Sequence, residues 1–272
     1  MNEPKEISMV LVGDIHAGSR SAICVPEMEM EGGGHFRHSA AQAGLYDAWC
    51  SLAKEWAKPD ILIVNGDAIE GQARKESGAP CWSTDLDDQI ECARRLIEMF
   101  KGNKTYIIEG TGYHTDAGGK SLEHHLGERL NSEKIGSGNS NRAATELFLN
   151  VGGITIHAAH HVSIGTGWYK TTPLARELVF ALLNESDFHK VDLIVRSHVH
   201  YFCGVEFHRQ RGYTLPCWQL RTKYMMKKSA FGMTPSIGAL RFKIRGTSIH
   251  LEKRFFKPVE CKPKLFRYEE ID

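Results

Sequence analysis

The sequence Ile7-Ser8-Met9-Val10-Leu11-Val12-Gly13-Asp14-Ile15-His16 joins a short apolar run to two side chains that can bind metal. Ile7–Val12 is rich in β-branched residues, which predicts a buried strand. Gly13 ends that strand, and Asp14 and His16 come after it. Because residues i and i+2 of an extended chain point the same way, we expect these two side chains to project together. A single Asp-x-His motif is common by chance. Its value as evidence for a metal site depends on the residues at the ends of the other strands.

Four further apolar runs end in polar clusters of the same kind. The clusters are Asn65-Gly66-Asp67, Gly110-Thr111-Gly112-Tyr113-His114, His157-Ala158-Ala159-His160-His161 and Ser197-His198-Val199-His200. The carboxyl ends of strands in an α/β sheet form the crevice where ligands bind. Recurrence after separate strands therefore predicts one site that gathers carboxylates and imidazoles. Such a mixture suits Mn, Fe, Zn, Ni or Co better than Ca or Mg.

The predicted elements alternate between strand and helix in the first half and are mostly antiparallel strands in the second. Predicted helices cover about 39–56, 85–100, 121–130 and 173–184, and predicted strands cover 7–12, 61–64, 105–108, 147–151, 154–156, 193–195, 205–207, 213–215, 240–244 and 249–252. Loop insertions are expected near 17–38 and 68–84. Since the pattern contains no clear linker, we expect a single domain over 1–272.

The composition is that of an ordinary globular protein. Its 272 residues are 42% apolar and 25% charged, which allows a layered core, and the net charge of +1 argues against binding nucleic acid by bulk charge. No apolar run approaches the roughly 20 residues that span a bilayer, and the polar stretch Met1–Ile7 argues against a signal peptide. Seven cysteines without a C-x-x-C pair predict reduced thiols and a cytoplasmic location.

The ordered motifs resemble the calcineurin-like metallophosphoesterase superfamily. That pattern is Asp-x-His, Gly-Asp, Gly-Asn-His, a histidine after a strand, and Gly-His-x-His, and the resemblance spans about Ile7 to Tyr201. The general layout, with its double histidine, looks most like the virus-encoded branch. The resemblance implies an α/β fold with a central β-sandwich flanked by helices, in four αββα layers. Ser197 stands where the last motif usually has glycine.

The third motif departs further from the family pattern. This chain has Gly110-Thr111-Gly112-Tyr113-His114 where the family has Gly-Asn-His, so the asparagine that normally binds one metal is missing. The Thr111 hydroxyl or a water molecule is the expected replacement. His114 matches the family's histidine that does not bind metal, and the resemblance implies that it is a general acid, or that it orients the phosphate.

The resemblance also implies a two-metal centre. The ligands carried over are Asp14, His16, Asp67 and His200 for the first ion, and Asp67, His160, His198 and Thr111 for the second. Asp67 is expected to bridge the ions, because a carboxylate has two oxygens to share. His160 is the expected ligand of the fourth motif, with His161 and His157 as alternatives.

These expectations predict a hydrolase that attacks phosphoesters with metal-activated water. The expected cofactors are two divalent ions, with Mn first and Fe, Zn, Ni or Co as alternatives. Phosphodiesters, including nucleic acid or nucleotides, are the first expectation for the substrate. The basic stretch with Arg221, Lys223, Tyr224, Lys227 and Lys228 either lines a phosphate groove or is a solvated loop. The alternatives are a phosphomonoesterase acting on a nucleotide or phosphoprotein, and a metal-stabilised binding module without catalysis.

Overall fold

The computed structural model describes residues 4–112, 114, 119–135, 141–162, 169–207, 209–228 and 234–257. The strands in these ranges are β1 (Ile7–Val12), β2 (Met28–Glu29), β3 (His35–Phe36), β4 (Ile61–Asn65), β5 (Lys104–Ile108), β6 (Glu146–Val151), β7 (Ile154–Ala159), β8 (Leu193–Arg196), β9 (Cys203–Glu206), β10 (Arg211–Thr214), β11 (Ile237–Arg245) and β12 (Ser248–Phe256). The helices are α1 (Ala40–Glu55), α2 (Leu86–Glu98), α3 (Leu122–Leu130), α4 (Thr172–Leu183) and α5 (Lys223–Lys228). None of these helices is long and apolar enough to cross a membrane.

Two five-stranded sheets form the centre of the fold. The first has the order β12-β11-β1-β4-β5, in which β1, β4 and β5 are parallel, and the second has the order β6-β7-β8-β10-β9. Strands β7, β8 and β10 are parallel to one another, so the antiparallel arrangement predicted for β10 is wrong for its pairing with β8, although β10 is antiparallel to β9. The carboxyl ends of β1, β4 and β5 all reach one edge of the first sheet.

Strand β1 shows why the layers form. Its side chains alternate between two apolar environments, because Met9 and Leu11 pack toward the second sheet while Val10 and Val12 pack under the helices. A strand that is buried on both faces needs a continuous apolar run, and residues 9–12 supply one. Burying each large apolar side chain contributes roughly 1.5–3 kcal/mol.

Helices cover the outer faces of both sheets. Helices α1, α2 and α3 share the core of the first sheet, where Trp49 and Leu96 are fully buried. On the other side, Leu174 and Leu178 of α4 pack on Ile194 of the second sheet. The predicted four-layer αββα fold is therefore confirmed.

The local signals for the helices are also as predicted. Ser39 caps α1 in a capping box with Gln42, and Asp85 caps α2 by accepting a hydrogen bond from the backbone of Asp87. The two predicted insertions lie against each other, since the backbone N–H of Arg20 donates to the carbonyl of Pro80. Cysteines in the described ranges are free thiols, which agrees with the prediction of reduced cysteines.

Candidate metal centre

Metal-capable side chains from both sheets meet where five strands end. Three groups have ligand atoms within 4.8 Å of one another, and they are Asp14 with His16 and His200, His16 with Asp67 and His114, and Asp67 with His160 and His198. The structure thus brings together six of the predicted ligands and the predicted catalytic histidine. Thr111 lies beside them, against Asp67. Tyr113 of the third motif lies outside the described residues.

The backbone at these positions is left-handed rather than extended. Positive φ angles occur at Asp14 (48°), His16 (49°), Asp67 (46°), His198 (70°) and His200 (58°). This conformation is uncommon outside glycine and costs of order 1–3 kcal/mol each, and it clusters at functional sites. The extended backbone assumed for Asp14 and His16 is therefore wrong, although the two side chains do join one group, whereas His198 and His200 join different groups.

Asp14 keeps one carboxylate oxygen for the centre. Its Oδ2 accepts a hydrogen bond of 3.1 Å from the backbone N–H of His198. Its Oδ1 is buried without a hydrogen-bond partner and lies 3.3 Å from Nε2 of His200. A buried oxygen left in this way among imidazole nitrogens is the expected arrangement of a metal ligand, because burial without a partner is otherwise costly.

Asp67 is held in a similar way by Thr111. The backbone N–H of Thr111 donates to Asp67 Oδ1 at 2.6 Å, and its hydroxyl lies 3.1 Å from Oδ1 and 3.3 Å from Oδ2. Only Oδ2 faces the histidines, at 3.1 Å from His160, 3.6 Å from His114 and 3.9 Å from His16. Asp67 Oδ2 is therefore shared by two halves of the centre, one that contains His16 and one that contains His160.

Three of the imidazoles, those of His16, His114 and His160, have their outer nitrogen occupied. Nδ1 of His160 donates to the carbonyl of Asn65 at 2.8 Å, Nδ1 of His16 lies 2.8 Å from Glu70 Oε2, and Nδ1 of His114 donates to the carbonyl of Glu70. Each Nε2 is then left toward the carboxylates. Hydrogen bonding of the second ring nitrogen to a carbonyl or carboxylate is typical of metal-binding histidines. The residues present therefore fit divalent metal ions.

The three histidines of the fourth motif take different positions. His160 is buried beside Asp67, and its Nε2 has no partner of hydrogen-bond geometry. His157 points to the other face of the sheet, where it lies 3.0 Å from Glu146 and 3.2 Å from Arg196. The ring of His161 is exposed and lies 4.8 Å from that of His198. The predicted first choice, His160, is the one that reaches Asp67.

The charged groups of the cluster shift one another's pKa values. Burial alone would raise the pKa of Asp67, but the nearby His114 and His160 hold it well below its ordinary value. Burial lowers the pKa of His160, and the Asp67 carboxylate beside it more than offsets this, raising it to about 9. Burial and the neighbouring His160 lower the pKa of His198 to about 4. An ionised Asp67 and a neutral His198 are the forms that bind metal.

Sequence reasoning missed several residues that support the ligands. Glu70 contacts His16, and its Oε2 also accepts from Gln219 Nε2 at 3.2 Å. The side-chain amide of Asn65 donates to the Ser197 hydroxyl at 2.8 Å, which links the ends of the two sheets at the centre. The sequence feature that could have pointed to Glu70 is its position three residues after Asp67. For Ser197, it is the presence of a hydroxyl side chain where the family has glycine.

Replacing Glu70 by glutamine is expected to weaken divalent metal binding by about 10–100-fold, the usual cost of losing an outer partner of a metal-binding histidine. The amide removes the negative charge that faces Nδ1 of His16. The matched control is Glu146→Gln, which changes a carboxylate paired with His157 outside the centre. Calorimetric titration with Mn²⁺ measures both variants, and equal affinities would contradict the role given to Glu70.

No protein-family model matches the chain, and no curated protein matches it. Solved structures with a similar fold include Vps29 from Entamoeba histolytica complexed with zinc, at 12% identity over 92% of this chain and 100% of that chain, with a TM-score of 0.45. Vps29 from Chaetomium thermophilum is 9% identical over 92% of this chain and 95% of that chain, with a TM-score of 0.46. A predicted phosphoesterase from Streptococcus pneumoniae is 9% identical over 92% and 90% of the two chains, with a TM-score of 0.41. At these identities and TM-scores, the function of the centre has to be inferred from the geometry of this chain. The resemblance to the virus-encoded branch stays a prediction.

Proposed function

We propose that this chain is a metal-dependent phosphodiesterase with two divalent ions. The observation that carries the proposal is that two of the three ligand groups share Asp67, whose Oδ2 lies 3.9 Å from His16 and 3.1 Å from His160. Two divalent ions bound there would lower the pKa of a coordinated water and neutralise charge on phosphoryl oxygens. Asp14, His16 and His200 hold one ion, His160 and His198 hold the other, and Asp67 is shared.

The chain's own residues contribute position and charge. Thr111 fixes the Asp67 carboxylate so that Oδ2 points into the cluster. Asn65 and Glu70 fix the rings of His160 and His16. With the ligands held in this way, little reorganisation is needed when charge develops on the phosphoryl group. Mixed nitrogen and oxygen ligands suit Mn²⁺, with Fe, Zn, Ni and Co as alternatives.

Positive charge in the segment that follows Gln219 supports a diester substrate such as nucleic acid. Gln219 contacts Glu70, so the segment after it leaves from the edge of the centre. That segment continues into α5, where Lys223, Lys227 and Lys228 are exposed and Tyr224 is 60% exposed. Lysines that follow a phosphate backbone and an aromatic ring on which a base can stack are the usual elements of a single-strand binding surface.

The test compares bis-p-nitrophenyl phosphate, p-nitrophenyl phosphate and a single-stranded oligonucleotide, each with added Mn²⁺. We expect turnover of the first compound and of the oligonucleotide, and loss of both after chelation. Turnover of the monoester alone would overturn the diesterase assignment in favour of a phosphomonoesterase. If the chain binds metal and hydrolyses none of the three, it is a metal-stabilised binding module instead.

A further inference from the structure

His114 lies among the predicted metal ligands, close enough to them to be a ligand itself. Its Nε2 is 3.6 Å from Asp67 Oδ2, and its ring meets that of His16 edge-on with centroids 5.3 Å apart. The side chain is 15% exposed. Together with His16 and Asp67 it forms the third group whose ligand atoms lie within 4.8 Å of one another.

The orientation of the ring is set by Glu70. Nδ1 of His114 is hydrogen-bonded to the backbone carbonyl of Glu70, which can only accept, so Nδ1 carries the proton. In the neutral ring, Nε2 then presents a lone pair toward Asp67. His16 and His160 use the same arrangement, with Nδ1 held from outside and Nε2 facing inward. The ring of His114 is therefore oriented in the same way as the rings of these two predicted ligands.

The third motif explains how this histidine reaches the centre. Three residues lie between Gly110 and His114, whereas one residue lies between glycine and histidine in Gly-Asn-His. The backbone N–H of His114 donates to the carbonyl of Thr111 at 3.0 Å, so His114 is held next to a residue that contacts Asp67. Thr111 directs both its N–H and its hydroxyl at Asp67. The motif thus lacks the asparagine ligand and brings an imidazole nitrogen to the cluster.

We propose that His114 binds a metal ion through Nε2, beside His16 and Asp67, in place of the general-acid role that the family resemblance implies. This assignment rests on the proposed two-metal centre. It differs from the family pattern, in which that histidine is not a ligand. The consequence is that removing His114 changes metal binding itself, and not only turnover.

The experiment measures metal bound per chain by mass spectrometry, and Mn²⁺ affinity by calorimetry, for the wild type, His114→Ala and His114→Gln. We expect the alanine variant to lose affinity for one ion by about 100-fold or more, since loss of an outer partner alone costs about 10–100-fold. Glutamine offers an amide oxygen at a similar reach, so His114→Gln is expected to bind more tightly than His114→Ala. The control is His157→Ala, a histidine outside the centre, which is expected to bind as the wild type does.

Visible absorption of the Co²⁺-loaded proteins gives a readout that does not depend on activity. Loss of a nitrogen ligand is expected to change the Co²⁺ bands in His114→Ala and to leave them unchanged in His157→Ala. If His114→Ala keeps two ions with unchanged affinity and spectrum, the ligand assignment is overturned while the proposed phosphodiesterase stands. A wild-type chain that binds no divalent ion overturns the proposed function and this assignment together.

Discussion

Replacing Asp67 by asparagine is expected to reduce turnover by about 10³-fold or more and to release bound metal at the same time. Metal ions stabilise the transition state by several kcal/mol, and each 1.36 kcal/mol is a factor of ten in rate. Asp67 Oδ2 is the oxygen that faces His16, His114 and His160. The substitution removes that oxygen's charge from both halves of the centre.

The hydrogen bonds of Thr111 decide how the introduced asparagine is oriented. The backbone N–H of Thr111, 2.6 Å from the present Oδ1, needs an acceptor and will hold the oxygen of the new side-chain amide. The NH₂ group is then directed at the inward-facing imidazole nitrogens. A donor replaces a ligand at that point, while the size of the side chain stays the same. The fold is therefore expected to persist as the metal is lost.

The matched control for this experiment is Asp60→Asn. Asp60 precedes β4 and accepts from the backbone of Ser8 at 2.9 Å, whereas Asp67 follows the same strand at its other end. Metal per chain and turnover of bis-p-nitrophenyl phosphate are measured for both variants. Two tightly held ions and normal turnover in Asp67→Asn would show that the shared-ligand assignment is wrong.

The individual strands and helices of this fold could be predicted from sequence because their signals are local, whereas their arrangement in four layers was implied by the family resemblance. A continuous apolar run marks β1, and the cap at Ser39 marks the start of α1. Each of these depends on neighbours in the chain and not on distant partners. The convergence of five strand ends followed from the rule that parallel strands present their carboxyl ends at one edge.

The division of the ligands could not be predicted in the same way. His198 and His200 enter different groups although they are two residues apart, and the left-handed backbone at both residues could not be foreseen, because periodicity carries no information on φ. The roles of Glu70 and Ser197 depend on partners 54 and 132 positions away in the chain, at His16 and Asn65. Such pairs are fixed by the packed fold, so a single sequence does not reveal them.

Gly66 of the Gly-Asp motif has no room for a side chain, because His160 packs directly against it. Gly66 has a φ of +80°, and a Cβ built there would lie 2.5 Å from the ring atom Cγ of His160 and closer still to the ring nitrogen Nδ1, nearer than real Cβ contacts come. The Gly66→Ala variant is expected to lower the free energy of unfolding by about 2–4 kcal/mol. Of this, roughly 1–2 kcal/mol comes from the left-handed backbone and the rest from overpacking. Because the clash falls on the ring of His160, metal affinity is expected to fall as well.

Gly33→Ala separates these two contributions. Gly33 has a similar φ of +87°, but a Cβ there meets no heavy atom within 4 Å. Its substitution should carry only the backbone cost of about 1–2 kcal/mol and leave Mn²⁺ affinity unchanged. Urea unfolding of the metal-free proteins measures the first quantity, and calorimetric titration measures the second. Equal destabilisation and equal Mn²⁺ affinity in the two variants would mean that His160 can move away from residue 66 at no cost. The close contact seen between Gly66 and His160 would then not be what holds this ligand beside Asp67.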